Sequence, residues 1–321
     1  MIKIILMIIC ALALFFIAVM VADNKRFVVR HYKIRSPKIA EPMRLVFIAD
    51  LHERCYGNEN EKLVSRIEEL KPDMILIGGD LIISRSVANY MRKTEGEAPD
   101  PVDHPWMQHS LLLVQRLSKI CPVWFVRGNH EIRMQYFEEL NAYDEQFIRE
   151  MQAADVRFIG NGYTDLTAPE DNDAGGIRLC GLELPMQYYE KFKKTELPAD
   201  DLRDIIGISD RNKFNILLTH SPVYFDQYTQ WGADLCLCGH VHGGLMRLPV
   251  IGGVMGTKPN LFPKYSTGLY TMKTETDNAE HTGFMVLTCG LGVHTLPIRI
   301  FNPGEISCVE LEPGEEPWAA S

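Results

Sequence analysis

Five apolar runs of this chain end in side chains that can bind a metal ion or move a proton: Asp50-Leu51-His52, Gly78-Gly79-Asp80, Gly128-Asn129-His130-Glu131, His220-Ser221 and Gly239-His240-Val241-His242. Each ending alone has a local explanation, because Asp caps helices and Asn beside Gly marks a turn. Turn chemistry does not, however, call for histidine at three separate strand ends. Together the set suits two divalent cations, which sit about 3.5–4 Å apart and need a bridging carboxylate with further nitrogen and oxygen ligands around them. Residues i and i+2 beyond a strand point to one side, so Asp50 with His52, and His240 with His242, can each bring two donors into one small volume. Flanking glycines let the backbone turn sharply and approach the ions. Mixed imidazole, carboxylate and amide donors favour manganese, iron or zinc over calcium, and lack the cysteine-rich shell of a structural zinc site. Cys236 and Cys238 face one side of a strand beside Leu235 and Leu237 and read as core.

The elements that must position these residues are legible in the same runs. "RLVFIAD" (44–50), "DMILIGGD" (73–80) and "PVWFVRGNHE" (122–131) read as strands running into loops, whereas "NEKLVSRIEEL" (60–70), "WMQHSLLLVQRLSKI" (106–120) and "YDEQFIREMQAA" (143–154) have helical spacing. This alternation predicts a sheet flanked by helices. In the second half "IRLCGLEL", "FNILLTHS", "ADLCLCGHVH", "GFMVLTCG", "LPIRIF" and "EISCVEL" read as strands, with "ADDLRDIIG" and "PVYFDQYTQ" as helices between them, so a second sheet is expected. Ligands of open α/β sheets bind beyond the carboxyl ends of the strands, which lets the five endings converge on one site.

The whole chain has 321 residues, 46% of them hydrophobic, the composition of an ordinary folded protein. Its net charge of −9 lacks the basic balance of a general nucleic-acid binder, and no stable nucleic-acid partner is expected. Residues 4–22 form an uncharged apolar run. At about 1.5 Å per residue such a helix just crosses a hydrocarbon core of roughly 30 Å, and it is longer than the apolar region of a cleaved signal peptide. It reads as a single-pass transmembrane anchor. Only Lys3 precedes the run while Lys25, Arg26, Arg30, Lys33, Arg35 and Lys38 follow it, which places the larger part in the cytoplasm by the positive-inside tendency. The irregularly spaced cysteines look like reduced core residues and agree with that side. The expected division is an anchor over 4–22, a basic linker over 23–42, one domain over 43–312 and a tail over 313–321. The Pro, Asp and Glu-rich segment 94–105 reads as an exposed insertion, and His294 has no assigned role.

The order of the blocks, ADLH (49–52), GGDL (78–81), GNHE (128–131), THS (219–221) and GHVH (239–242), resembles the calcineurin-like metallophosphoesterase superfamily. GGLMRLPVIG (243–252), KYSTGLY (264–270) and GLGVHTLPIRIFNPGEI (290–306) resemble its membrane-anchored YkuE- and YaeI-like phosphodiesterase branch. The resemblance implies a four-layer αββα sandwich of two mixed sheets, here behind the N-terminal helix. It implies that one cation is held by Asp50, His52 and His242, the other by Asn129, His220 and His240, and that Asp80 bridges them. The two histidines of GHVH would then serve different ions. His130 matches the position that touches the substrate phosphate and protonates the leaving group. One departure is Ile83, which stands where many members carry an acidic or polar residue three positions after the aspartate of the second block.

The implied activity is phosphoester hydrolysis, as a phosphodiesterase or pyrophosphatase, by a hydroxide that the two cations share. The segment "RLPVIGGVMGTKPNLFPK" (247–264) mixes apolar residues with Arg247, Lys258 and Lys264. It reads either as a buried connection with solvated lysines or as a lip that holds a lipid chain while its basic residues pair with phosphate. An anchored site makes a lipid-linked phosphate ester a natural substrate. A nuclease or nucleotide phosphodiesterase, and a non-catalytic metal-binding scaffold, stand as alternatives. Oligomeric state is not legible.

Overall fold

Runs such as Met43–Ile48 and Phe214–Thr219 carry apolar residues on both faces, as strands do when each side of the sheet is covered. The computed structural model of the chain describes residues 1–93, 105–166, 176–190, 195–248, 251–256, 261–276, 279–293 and 296–321. Lys258, His294 and, but for Pro105, the segment 94–105 lie outside the described residues.

In chain order the first half contains α1 (Ile2–Lys25), β1 (Phe27–Ser36), β2 (Met43–Ile48), α2 (Glu61–Glu69), β3 (Met74–Ile77), α3 (Ser84–Lys93), α4 (Pro105–Leu117), β4 (Val123–Phe125), α5 (Asn129–Gln135), α6 (Glu138–Ala153) and β5 (Val156–Phe158). The second half contains β6 (Gly162–Asp165), β7 (Ile177–Leu182), α7 (Ala199–Ile206), β8 (Phe214–Thr219), α8 (Phe225–Trp231), β9 (Leu235–Cys238), β10 (Arg247–Leu248), β11 (Gly252–Gly253), β12 (Gly268–Thr276), β13 (Ala279–Leu287), β14 (Gly304–Pro313) and β15 (Trp318–Ala320). One sheet runs β15-β1-β14-β2-β3-β4-β5 and the other β12-β13-β9-β8-β7-β6. Both are mixed: β2 to β5 are parallel with β14 antiparallel to β2, and β7, β8, β9 and β13 are parallel with an antiparallel strand at each edge.

Three apolar cores separate four layers. Alternate residues of the first sheet, including Leu45, Phe47 and Leu76, meet Leu179, Ile216, Leu218 and Leu237 of the second. Val46, Ile48, Ile75 and Ile77 face the other way, onto Leu63 and Ile67 of α2, Leu113 of α4 and Phe147 of α6. On the far side Leu217, Cys236 and Cys238 pack on Leu202 of α7 and on Phe225 and Trp231 of α8. The order of layers is therefore helix, sheet, sheet, helix, with α1 protruding from it as an apolar helix long enough to cross a membrane.

Three stretches differ from the sequence reading. Residues 23–42 are not a linker: β1 lies within them and pairs in parallel with β14 over ten residues. Lys33 and Arg35 alternate with Tyr32 and Ile34, which are buried, and so point outward and meet Glu312 at 2.7 and 3.0 Å. The tail from 313 likewise carries β15, which pairs with β1. The run "LPIRIF" is not a strand, since Ile300 makes only a single bridge, to Met246, and Pro297 offers no backbone donor.

Candidate metal centre

All five blocks emerge at carboxyl ends of parallel strands: Asp50 and His52 after β2, Asp80 after β3, Asn129 and His130 after β4 at the start of α5, His220 after β8, and His240 and His242 after β9. Strand alternation does not bring them together, because β2 ends at Ile48 and β9 at Cys238. Left-handed backbone does: Asp50, His52, Asp80, His240 and His242 have φ of 53°, 47°, 54°, 76° and 49°. Such values are uncommon for residues with a side chain, and strain of this kind persists where surrounding packing enforces it. Gly79, at φ 87°, shows that packing, since a Cβ there would stand 2.1 Å from the backbone nitrogen of Gly128. The loops after β3 and β4 touch at this pair of glycines.

Two groups of donors result. Ligand atoms of Asp50, His52 and His242 lie within 4.8 Å of one another, and so do those of Asp80, His220 and His240; a third grouping joins His52, Asp80 and His130. His52 Nε2 is 3.2 Å from His242 Nε2 and 3.8 Å from Asp50 Oδ1. His220 Nε2 lies 3.1 Å from Asp80 Oδ2 and 3.7 Å from Asp50 Oδ1, so both carboxylates look toward both groups. His240 and His242 fall in different groups.

The backbone holds these side chains in place. His220 Nδ1 donates to Gly78 O at 2.7 Å, which makes Nε2 the ring atom that faces the carboxylates. Asp50 accepts the His240 N–H at 2.9 Å, and Asp80 Oδ1 accepts the His130 N–H at 2.8 Å. The Ser84 N–H donates to His130 Nδ1 at 3.1 Å. A neutral His130 ring thus carries its proton on Nε2.

The charges need neutralising. Asp50 and Asp80 are both essentially inaccessible to water. Burial, reinforced by Asp80 and opposed by His220, pushes the Asp50 carboxyl up to about 7. Burial acts on Asp80 too, but His220, His130 and His52 outweigh it and hold that carboxyl well below the usual range. His220, although buried, is pushed up to about 10, chiefly by Asp80. Asn129 is 7% exposed and its Oδ1, buried, makes no hydrogen bond among the described residues. A buried carbonyl oxygen without a donor is costly unless a cation takes its place. Donor types, paired carboxylates and this oxygen all fit divalent metal ions.

Some residues of the site carried no role in the sequence reading. Glu131, fully buried, accepts backbone N–H bonds from Asp80, Leu81 and Gly128 at 2.8 to 2.9 Å and so staples the loops after β3 and β4. Its position inside GNHE was the available signal. The Tyr189 ring lies edge-on to His240 with centroids 5.2 Å apart, and Asn302 Nδ2 donates to His242 O at 2.7 Å. Neither has a local sequence signature. Of the basic residues read as phosphate contacts, Lys264 is exposed, 3.5 Å from Asp226 and over the Tyr265 ring, and Arg247 lies on β10 outside the donor groups.

Residues 43–244 match the calcineurin-like phosphoesterase family. A metallophosphoesterase of Helicobacter pylori is 24% identical over 89% of this chain, which spans only 64% of that relative's length. The metallophosphoesterase YkuE of Bacillus subtilis is 26% identical over 84% of this chain and 79% of its own, and the phosphodiesterase YaeI of Escherichia coli 23% identical over 70% and 69%. The family match takes in every strand-end block from Asp50 to His242, and this chain belongs to the calcineurin-like phosphoesterase family.

Proposed function

We propose that the chain is a phosphodiesterase or pyrophosphatase that works at a membrane surface on a lipid-linked phosphate ester, using two divalent cations. Manganese, iron and zinc suit the donors. Asp50, His52 and His242 would hold one ion, Asn129, His220 and His240 the other, and Asp80 would lie between them. What supports this reading is the pair of adjacent, largely buried donor groups sharing two carboxylates, with the oxygen of Asn129 accepting no hydrogen bond among the described residues. Such an ion pair, when bound, supplies an acidified water and offsets charge on the phosphoryl oxygens.

The chain's own residues do the rest. Gly78 O and the backbone around Asp80 orient His220 and the central carboxylate before substrate arrives, so little reorganisation is left for the transition state. His130, its Nδ1 occupied by the Ser84 N–H, offers Nε2–H to the phosphate and then to the departing oxygen. Membrane action is supported by α1, whose apolar length suffices to cross a bilayer. The basic residues after it favour a cytoplasmic domain.

The test is hydrolysis of bis(p-nitrophenyl) phosphate by the full chain in detergent with added manganese, iron or zinc, beside Asp80→Ala. Metal-dependent turnover that disappears in the variant, with bound metal falling from two ions per chain, is the expected result. Two bound ions with no turnover of any diester or pyrophosphate would leave a scaffold and overturn the catalytic reading.

A further inference from the structure

The anchor helix does not leave the domain at its last residue. Phe16, Val19, Met20, Asp23 and Asn24, spaced as one helical face, are partly or fully buried, whereas residues 1–15 are exposed throughout. This face rests on the loop after β13. Phe301 lies with its ring centroid 6.3 Å from those of both Phe15 and Phe16, Asn24 Nδ2 donates to Pro297 O at 2.8 Å, and the buried Asp23 accepts the Asn302 N–H at 2.9 Å. The uncharged run 4–22, about 28 Å long at about 1.5 Å per residue, matches a hydrocarbon core of roughly 30 Å only if its docked part is included. A span that uses this run brings whatever lies beside Phe16 to Met20 to the membrane with it.

What lies there is apolar. Leu296 and Phe301 are 53% and 42% exposed, and a ladder of backbone bonds continues outward from them. Ile300 bridges to Met246, Val254 donates to Met246 O, and Phe262 donates to Val254 O. The tips of this ladder are Ile251, Met255, Leu261 and Phe262, each 44% exposed or more. Elsewhere on the domain exposed large apolar side chains, such as Tyr163 and Ile208, belong to other elements. Clusters of this kind mark a contact surface.

We infer that residues 251–256, 261–262 and 296–301 form a second membrane contact, an apolar apron beside α1 that dips into the bilayer surface and holds the candidate metal centre at the depth of lipid headgroups. The occupant is the lipid bilayer, because the apron is continuous with the docked face of the apolar helix. The link to the site is one side chain long: Asn302, next to Phe301, binds His242 O. The inference rests on α1 being a membrane anchor, and on nothing about turnover.

The test is photocrosslinking of the full chain in vesicles of phosphatidylethanolamine and phosphatidylglycerol. Phe15→p-benzoylphenylalanine reports on the anchor, Phe301→p-benzoylphenylalanine and Phe262→p-benzoylphenylalanine on the apron, and Tyr163→p-benzoylphenylalanine on an unrelated exposed position. All four are aromatic replacements at exposed sites, so folding is preserved. Lipid adducts at 15, 301 and 262 and none at 163 are expected. Adducts at 15 alone would overturn the apron and leave the anchor standing. No adduct at 15 would remove the anchor, and the apron with it.

Discussion

At the scale of single residues, the site depends on which nitrogen of each imidazole faces inward. Gly78 O takes the Nδ1 proton of His220 and turns its Nε2 toward Asp80. His130 is arranged in the opposite sense, since its Nδ1 accepts from Ser84 and its Nε2 carries the proton of the neutral ring. The residue that sets this tautomer, Ser84, directly follows Ile83. A proton donor matters most when the leaving oxygen is basic. His130→Ala is therefore expected to lower kcat for an alkyl phosphodiester by about a hundredfold or more, and to have a much smaller effect on a p-nitrophenyl diester, whose leaving group needs no proton. Parallel kinetics on the two esters check this; equal losses would show that His130 acts through binding instead.

At the scale of elements, the loops that follow the strands are tied to one another by buried acidic groups. Glu131 joins the loops after β3 and β4, and Glu53 joins the loop after β2 to the one after β3 by accepting the Ile83 N–H at 2.9 Å. Burial pushes the Glu53 carboxyl up to about 7, against the opposing hydrogen bonds from Ile83 and Ser86. A carboxyl raised in the folded state binds more protons there than in the unfolded chain, so its ionisation weakens folding as pH climbs from its ordinary value near 4.5 to about 7. Glu53→Gln keeps an acceptor for Ile83 and removes the charge. Its stability gain over the parent, measured by urea unfolding with chelator present, is expected to be near zero at pH 4 and to grow to on the order of 2 kcal/mol by pH 8. A gain that does not change with pH would rule out this electrostatic origin.

At the scale of the whole molecule, one buried line runs from α1 to the candidate metal centre. Asp23 accepts the Asn302 N–H, Asn302 holds the carbonyls of His242 and Leu245, and Arg299, buried beside it, donates to the carbonyls of Cys289, Gly290 and Gly292, the two glycines lying against Asp50. Groups that orient a metal ligand commonly change metal affinity by about 10- to 100-fold when removed. Asn302→Ala is accordingly expected to raise the dissociation constant for manganese by about that factor while the fold survives. Titration followed by calorimetry, with circular dichroism as the check on folding, reads both. An unchanged affinity would mean that the loop carrying His242 is held sufficiently by its other contacts.

The sequence by itself determined the inventory of this site and the layers that carry it. Asp50, His52, Asp80, Asn129, His130, His220, His240 and His242 stand out because polar residues directly after apolar runs are a local pattern, and period-two and helical spacing are local as well. Only the tertiary structure decided how they meet. The left-handed turns at Asp50, His52, Asp80, His240 and His242 are enforced by loops from distant strands pressing together, as at Gly79 and Gly128, whereas the flanking glycines permit sharp turns without fixing them. The same holds for β1, whose basic composition reads as a linker until β14, nearly three hundred residues later, supplies its hydrogen bonds and Glu312 its counter-charge. Asn302 and Phe301 are ordinary loop residues until the fold sets one against His242 and the other against the anchor helix. Contacts between residues far apart in the chain depend on the packing of whole sheets, and that information is spread over the entire sequence instead of being written at any one position.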